Sequence, residues 1–169
     1  MHAHALEIAL PAMPAMHAKV LDVGCGSGFL TAAFARLGGE SARVVGIDYV
    51  PELVQLSARN VNKDMPSLLS TGRVLLQTGD GWAGVPEEAP YDVIHVGAAA
   101  ATVPLELVEQ LKKGGRMIVP VGPESGPQVL LQVDRTTDQG PVARSFTVKN
   151  LLSVIYVPLV QDGIVGEKG

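Results

Sequence analysis

The stretch Asp22-Val23-Gly24-Cys25-Gly26-Ser27-Gly28 joins two segments with different patterns of apolar residues. Lys19–Val23, at its N-terminal side, is mostly apolar and predicts a strand. Phe29–Leu37, at its C-terminal side, has apolar residues at helical spacing and predicts a helix that ends at Gly38-Gly39. Glycines between a strand and a helix let the backbone turn tightly and approach a ligand closely. The stretch therefore predicts a βα unit with a ligand site at its loop.

The chain repeats this alternation of strand and helix, which is typical of α/β proteins with a parallel sheet. Further strands are predicted at Arg43–Asp48, Arg73–Thr78, Tyr91–Val96 and Arg116–Val121. Further helices are predicted at Met1–Ala12, at Glu52–Asn62 after Pro51, and at Pro104–Leu111. The last of these helices is predicted to be closed by Gly114-Gly115.

The C-terminal third has a different pattern. Between Val121 and Val129 there is room only for turn residues, so Gln128–Asp134 is predicted to return antiparallel. Thr147–Pro158 predicts one more extended segment. We therefore expect one α/β domain over residues 1–160, mostly parallel with an antiparallel C-terminal part, and a flexible tail over 161–169.

Composition limits the classes of function. The net charge of −4 argues against a nucleic-acid partner, because binding to phosphates needs a basic surface. No apolar run approaches the roughly 20 residues that cross a bilayer. The single cysteine, Cys25, excludes an internal disulfide, and four scattered histidines predict no metal site. We expect a cytoplasmic monomer.

The spacing of the glycine loop separates two classes of cofactor. A dinucleotide loop begun at Gly24 and Gly26 would need a third glycine at position 29, which is Phe29. Asp22 also disfavours a nearby pyrophosphate, because like charges repel in a partly desolvated site. An acid suits instead the ammonium and sulfonium groups of S-adenosylmethionine. A nicotinamide-dependent dehydrogenase is therefore disfavoured.

Two more acids follow predicted strands. Asp48 ends the second strand, where it is placed to accept hydrogen bonds from ribose hydroxyls, with Tyr49 near the adenine. Asp80, between Gly79 and Gly81, follows the third strand and is able to accept from an adenine amine. Because the carboxyl ends of parallel strands meet at one edge, these acids and the loop predict one nucleoside site.

Two residues with reactive side chains are given no catalytic role. Cys25 has no histidine paired with it by sequence, so we interpret it as a small residue that fits the loop. His95 lies within an apolar strand, which favours a structural histidine with satisfied hydrogen bonds.

Several runs are more specific than the loop, and together they resemble the protein-L-isoaspartate (D-aspartate) O-methyltransferase family. The runs are Tyr91-Asp92-Val93-Ile94-His95-Val96-Gly97-Ala98-Ala99, Val154-Ile155-Tyr156-Val157-Pro158-Leu159, Val44–Asp48, Gly79-Asp80-Gly81, Lys113–Arg116 and Pro120–Pro123. The resemblance implies the Rossmann-like fold of class I S-adenosylmethionine-dependent methyltransferases.

The resemblance also implies an activity: methyl transfer from S-adenosylmethionine to the free carboxylate of L-isoaspartyl and D-aspartyl residues in damaged proteins, for repair. It places substrate main chain at Val154, Ile155 and Tyr156. No catalytic base is expected, because a carboxylate is already ionised at neutral pH. The cofactor positions are His2, Asp22, Val23, Gly24, Cys25, Gly26, Ser27, Gly28, Asp48, Tyr49, Asp80 and Gly81.

The family has a segment that precedes the position of Met1 and contributes an active-site Ser or Thr hydroxyl. We therefore expect the 169 residues alone to be weak or inactive in methyl transfer. Two hypotheses stay open: a methyltransferase that is active with that segment, and a module that binds S-adenosylmethionine without catalysis.

Overall fold

The structure, a computed structural model, describes residues 2–160. Within them seven strands form one sheet in the order β3-β2-β1-β4-β5-β6-β7. The strands are β1 Lys19–Val23, β2 Arg43–Asp48, β3 Val74–Thr78, β4 Tyr91–Val96, β5 Leu111–Val121, β6 Gln128–Arg135 and β7 Phe146–Val154. The helices are α1 His2–Ala9, α2 Phe29–Leu37, α3 Pro51–Asp64, α4 Pro66–Ser70 and α5 Leu105–Glu109, with 3-10 turns at Leu10–Ala12, Pro86–Glu88 and Val142–Arg144.

The sheet is parallel from β3 to β5 and antiparallel at β6 and β7. The chain leaves β1 toward β2 and returns to the other side of β1 as β4. The loops after β1 and β4 therefore diverge, which opens a crevice at the carboxyl ends of these strands. The predicted fold class, a Rossmann-like sheet with an antiparallel C-terminal part, is confirmed.

The sheet is covered on both faces, which explains why its central strands are almost entirely apolar. One cluster contains Leu21 of β1 and Leu107 of α5. The other contains Val20 of β1 and Phe34 of α2. All six residues of β4 are buried, so the polar side chains on that strand need partners inside the protein.

Most predicted elements are confirmed; the helix predicted at Pro104–Leu111 is present but shorter, and its predicted closure by Gly114-Gly115 is wrong. The helix ends at Glu109, and Leu111 already pairs with Tyr91 in β5. Gly114 and Gly115 lie inside β5, where the pairing with β4 shifts register. A Cβ on Gly115 would lie 3.0 Å from the Tyr91 carbonyl oxygen, so the two strands approach more closely than a side chain permits.

The N-terminal helix is shorter than predicted, because the α-helix ends at Ala9 and Pro11 lies within the following 3-10 turn. Met1 and the predicted tail 161–169 lie outside the described residues, so the domain boundary at residue 160 stays a prediction. Over residues 2–160 the structure has no helix long and apolar enough to cross a membrane.

Candidate functional site

The glycine loop after β1 makes a left-handed turn against the end of β2. Gly24, Gly26 and Gly28 have φ angles of 78°, 53° and 81°. The amides of Gly24 and Cys25 both donate to the Ile47 carbonyl, at 2.8 and 2.9 Å. Glycine adopts such angles without the steric cost that a Cβ imposes, which explains the spacing of the loop. The loop backbone before α2 is therefore accessible to a ligand.

Two cavities meet at this loop and share Gly24, Gly26 and Gly97. The first, here called the histidine cavity, has a volume of about 300 Å³ and is lined further by His2, Asp22, Leu30, His95, Ile155 and Tyr156, among others. The second, here called the Asp48 cavity, has a volume of about 330 Å³ and is lined further by Asp48, Tyr49, Leu53, Gly81, Val157 and Leu159, among others.

Asp22, at the floor of the histidine cavity, is bound by two side chains. Its side chain is buried, its Oδ2 accepts a 2.5 Å hydrogen bond from Thr31 Oγ1, and its Oδ1 lies 2.9 Å from His95 Nδ1. An ionised carboxylate only accepts hydrogen bonds, so this contact requires the proton on Nδ1 of His95. The two partners satisfy a charge that burial would otherwise make costly.

Within residues 2–160, His95 is hydrogen-bonded through one ring nitrogen only, whereas the sequence predicts a structural histidine with satisfied hydrogen bonds, and its ring also lines the histidine cavity. The nearby His2 ring stacks on Phe29, with centroids 5.4 Å apart. Thr31 is two residues into α2 and faces β1, and no sequence signal distinguished it from the other small residues of that helix.

Asp48 lies at the edge of its cavity with both carboxylate oxygens accepting backbone amides. Oδ2 accepts from Gly26 at 3.0 Å and Oδ1 from Val50 at 3.1 Å. Each oxygen keeps a second lone pair for a ligand. The neighbouring walls from Ile47 and Leu53 are apolar. The cavity thus combines an acceptor edge with an apolar slot.

Asp80, predicted to accept from an adenine amine, takes part in the turn after β3. Its Oδ1 accepts the Trp82 amide at 2.8 Å, which closes the turn after β3. The flanking Gly79 and Gly81 line the Asp48 cavity, while Asp80 is not among its lining residues. Gly81 is tightly enclosed, since a Cβ there would lie 2.7 Å from Leu159 Cδ1.

Residues 155–160, here called the strap, follow β7 and line both cavities. The Ala99 amide donates to the Val157 carbonyl at 2.7 Å, and the Leu159 amide donates to the Ala99 carbonyl at 2.8 Å. Trp82 Nε1 donates to the Leu159 carbonyl at 3.2 Å. These bonds bring the C-terminal segment back over the carboxyl ends of the parallel strands.

Gln128 holds the first part of the strap and was missed by sequence reasoning. Its side chain is buried, its Oε1 accepts from the Tyr156 amide at 2.6 Å, and its Nε2 donates to the Tyr156 carbonyl at 3.1 Å. The side-chain amide of Gln128 therefore forms the two backbone hydrogen bonds that a neighbouring strand would otherwise form with Tyr156. A glutamine at the start of a strand carries no local signal of such a role.

Cys25 is buried in the loop, and burial raises the pKa of its thiol to about 11. The thiol is therefore protonated at neutral pH, which fits its interpretation as a small loop residue. Burial also raises the pKa of Tyr156, so its phenol stays a neutral donor and acceptor beside the histidine cavity.

Comparisons with known proteins agree on one family. A family model described as protein-L-isoaspartate(D-aspartate) O-methyltransferase matches residues 1–163. Proteins named protein-L-isoaspartate O-methyltransferase from Triticum aestivum and Caenorhabditis elegans are 48% and 45% identical to this chain, each over 94% of it. The chain belongs to this family.

Isoaspartate O-methyltransferases in the comparison are longer proteins. This chain spans 66% of the wheat protein, 68% of the nematode protein and 49% of protein-L-isoaspartate O-methyltransferase 2 from Arabidopsis thaliana. A solved structure described as a putative family member from Plasmodium falciparum in complex with S-adenosyl-L-homocysteine superposes with a TM-score of 0.82 at 29% identity, over 95% of this chain and 73% of that chain.

Other methyltransferase structures share the fold alone. One example is an S-adenosylmethionine-dependent methyltransferase from Aquifex aeolicus, with a TM-score of 0.51 at 24% identity, over 83% of this chain and 68% of that chain. The fold is therefore that of the class I S-adenosylmethionine-dependent methyltransferases.

The structure brings most residues expected from the isoaspartate O-methyltransferase resemblance to the two cavities. His2, Asp22, Cys25 and Ser27 line the histidine cavity, Val23, Asp48, Tyr49 and Gly81 line the Asp48 cavity, and Gly24 and Gly26 line both. Ile155 and Tyr156 reach the histidine cavity, whereas Val154 is the last residue of β7 and lies outside its lining.

Gly28 and Asp80 do not line these two cavities. Gly28 precedes α2 and packs against α3, where a Cβ would lie 3.0 Å from Ser57 Oγ. Within residues 2–160, no group of three or more His, Cys, Asp or Glu side chains is placed to hold a metal ion.

Proposed function

We propose that this chain binds S-adenosylmethionine across the two cavities. We further propose that the protein methylates the free carboxylate of L-isoaspartyl and D-aspartyl residues in damaged proteins, for their repair. The observation that supports the proposal most is the junction of the two cavities at the glycine loop, with a buried acid at one end and Asp48 at the other. S-adenosylmethionine is long enough to need both cavities, and it supplies an electrophilic methyl group on a sulfonium.

The nucleoside end fits the Asp48 cavity. Asp48 would accept hydrogen bonds from the ribose hydroxyls through the lone pairs that Gly26 and Val50 leave free. Tyr49, Leu53 and Leu159 would enclose the adenine with apolar surface. The glycines at 79 and 81 keep the slot free of side chains on the β3 side.

The amino-acid end fits the histidine cavity. Asp22 is the one carboxylate among its lining residues within 2–160, so the cavity favours a cation. Gly24, Gly26 and Gly97 line both cavities and carry no side chains, so the cofactor can cross between the cavities close to the backbone. The positively charged sulfonium would then lie near the shared glycines.

The carboxylate that receives the methyl group needs to be oriented more than it needs to be activated. Its carboxylate is ionised at neutral pH, so no base has to remove a proton before attack. What the protein must supply is in-line placement of one oxygen against the methyl carbon and exclusion of water. We propose that Val154, Ile155 and Tyr156 hold the substrate main chain; Ile155 is 93% exposed and accessible to a peptide.

We also propose that the protein acts in the cytoplasm as a monomer on isoaspartyl-containing proteins. The single cysteine is compatible with a reducing compartment. The net charge of −4 gives no general attraction to nucleic acids.

Two measurements on the 169-residue chain test the proposal. Titration calorimetry with S-adenosylhomocysteine should give saturable binding, and absence of binding would contradict the cofactor site. Methyl transfer is then compared between an isoaspartyl peptide and its aspartyl twin, with the same sequence. Transfer to the isoaspartyl peptide alone supports the enzyme and would overturn the expectation that the 169 residues alone are weak or inactive. Binding without transfer to either peptide agrees with that expectation and also with the non-catalytic module.

A further inference from the structure

His95 has one ring nitrogen that the fold uses and one that it leaves available. Nδ1 is bound to Asp22, as described above. Among residues 2–160, Nε2 has no hydrogen-bond partner, and no side-chain nitrogen or oxygen in this part of the protein is both sealed from solvent and unbonded. His95 is only 7% exposed, so the space that Nε2 reaches is the histidine cavity that this ring lines.

The contact with Asp22 determines what Nε2 can do. Because the ionised carboxylate accepts a hydrogen bond from Nδ1–H, the neutral ring has its lone pair on Nε2. Thr31 binds the second oxygen of Asp22, which fixes the carboxylate and therefore the ring. The Phe34 ring packs beside the imidazole, with centroids 6.1 Å apart. The cavity thus contains a rigid acceptor backed by a buried negative charge.

We propose that His95 recognises the α-ammonium group of S-adenosylmethionine through Nε2. An ammonium group donates hydrogen bonds and carries positive charge, so it satisfies the lone pair and is attracted by Asp22. A carboxylate at the same place would need a second proton on the ring and would approach Asp22 with like charge. Asp22 thus acts on the ligand through His95, and Thr31 supports both. This inference rests on the proposed S-adenosylmethionine site.

The test compares three ligands that share the adenosine part. They are S-adenosylhomocysteine, its analogue without the α-amino group, and 5′-deoxy-5′-methylthioadenosine, which has no amino-acid end. His95→Asn places an amide near the position of Nδ1 and keeps a donor for Asp22, but it removes the acceptor in the cavity. His95→Gln is the matched control, because its amide oxygen reaches toward the position of Nε2.

The unchanged protein should bind S-adenosylhomocysteine about tenfold or more tightly than the analogue without the amino group, the usual effect of a hydrogen bond to a charged group. His95→Asn should reduce this preference to within about threefold, and His95→Gln should retain part of it. Both variants should bind methylthioadenosine as the unchanged protein does. A preference that survives in His95→Asn would overturn the inference, as would an equal loss for all three ligands.

An NMR measurement on the unchanged protein tests the inference even if the variants do not fold. The ¹⁵N shifts of His95 should show a proton on Nδ1 and a free lone pair on Nε2, and S-adenosylhomocysteine should move only the Nε2 signal. The analogue without the amino group should leave that signal unchanged. Equal shifts with both ligands would contradict the inference. Failure of the unchanged protein to bind any of the three ligands would overturn the cofactor site itself, and the inference with it.

Discussion

The side chain of Gln128 forms two hydrogen bonds with the backbone of Tyr156, 28 residues further along the chain. The Gln128 Oε1 accepts from the Tyr156 amide and Nε2 donates to the Tyr156 carbonyl, as the backbone of a neighbouring strand would. The rest of the strap depends on other partners, since Val157 and Leu159 bond to Ala99. The part of the strap beside the histidine cavity is therefore held separately from the part beside the Asp48 cavity.

Replacing Gln128 should loosen the first part of the strap. Gln128→Leu keeps the size of the side chain but removes both bonds to Tyr156 and a longer one to the Pro123 carbonyl, and we expect a loss of about 1–2 kcal/mol in the free energy of unfolding. Hydrogen exchange followed by mass spectrometry should be faster at 155–157 and unchanged at Ala99. Gln132→Leu, on the same strand and away from the strap, is the control. Equal exchange rates in the two variants at 155–157 would show that Gln128 does not hold the strap.

Thr31 should stabilise the protein through Asp22. Thr31→Val is nearly isosteric and leaves one oxygen of a buried carboxylate without its donor. We expect the free energy of unfolding to fall by about 1–3 kcal/mol, measured by urea denaturation. Thr71→Val is the matched control, because the exposed Thr71 hydroxyl bonds only to the Ser67 carbonyl. This substitution should change the free energy of unfolding by no more than about 0.5 kcal/mol. Similar costs for both would show that the Asp22 contact contributes no more than a surface hydrogen bond.

Gly28 should be more sensitive to a side chain than another left-handed glycine. Its φ is 81° and a Cβ there would lie 3.0 Å from Ser57 Oγ, whereas Gly39 has a φ of 75° with nothing within 4 Å of a Cβ. Gly39→Ala should show only the cost of the left-handed backbone, about 1–2 kcal/mol. Gly28→Ala should add about 1–3 kcal/mol for the contact with α3. Equal denaturation midpoints for Gly28→Ala and Gly39→Ala would show that α2 and α3 can move apart to make room for the Cβ without loss of stability.

The thiol of Cys25 should be almost unreactive in the folded protein. Burial raises its pKa from 9.0 to about 11, so the fraction of thiolate at pH 8 falls about 100-fold on folding. Alkylation by iodoacetamide at pH 8 should be slower than in urea-unfolded protein by at least that factor. Raising the pH toward 11 should increase the rate in the folded state. An alkylation rate in the folded protein close to that of the unfolded protein would contradict the burial of the thiol.

Local patterns were sufficient for much of the fold and for the outline of the site. The bounds of β1, β2, β4 and α2 follow from apolar periodicity and from glycines or prolines beside them. The glycine loop and Asp48 are placed by the same logic, because they directly follow strands whose carboxyl ends must meet. The antiparallel return at Gln128 followed from the short turn before it. These features depend on neighbours in the chain.

The features that sequence reasoning missed depend on contacts between distant residues. Gly114-Gly115 is typical of a helix end, but these residues form an irregular part of β5 that approaches β4 closely. Asp80 follows a strand as Asp48 does, and each carboxylate accepts the amide two residues later, but only Asp48 lines the Asp48 cavity. No pattern within one element distinguishes these outcomes.

The sequence by itself determined that an α/β sheet with an acid-flanked glycine loop would form, because strand, turn and helix are specified by residues close together in the chain. Only the tertiary structure decided which atoms face the ligand. Asp22 and His95 are 73 residues apart, and the packing of β1 beside β4 makes them a pair. That pairing assigns the proton to one ring nitrogen and leaves the other to the cavity, which no local pattern encodes.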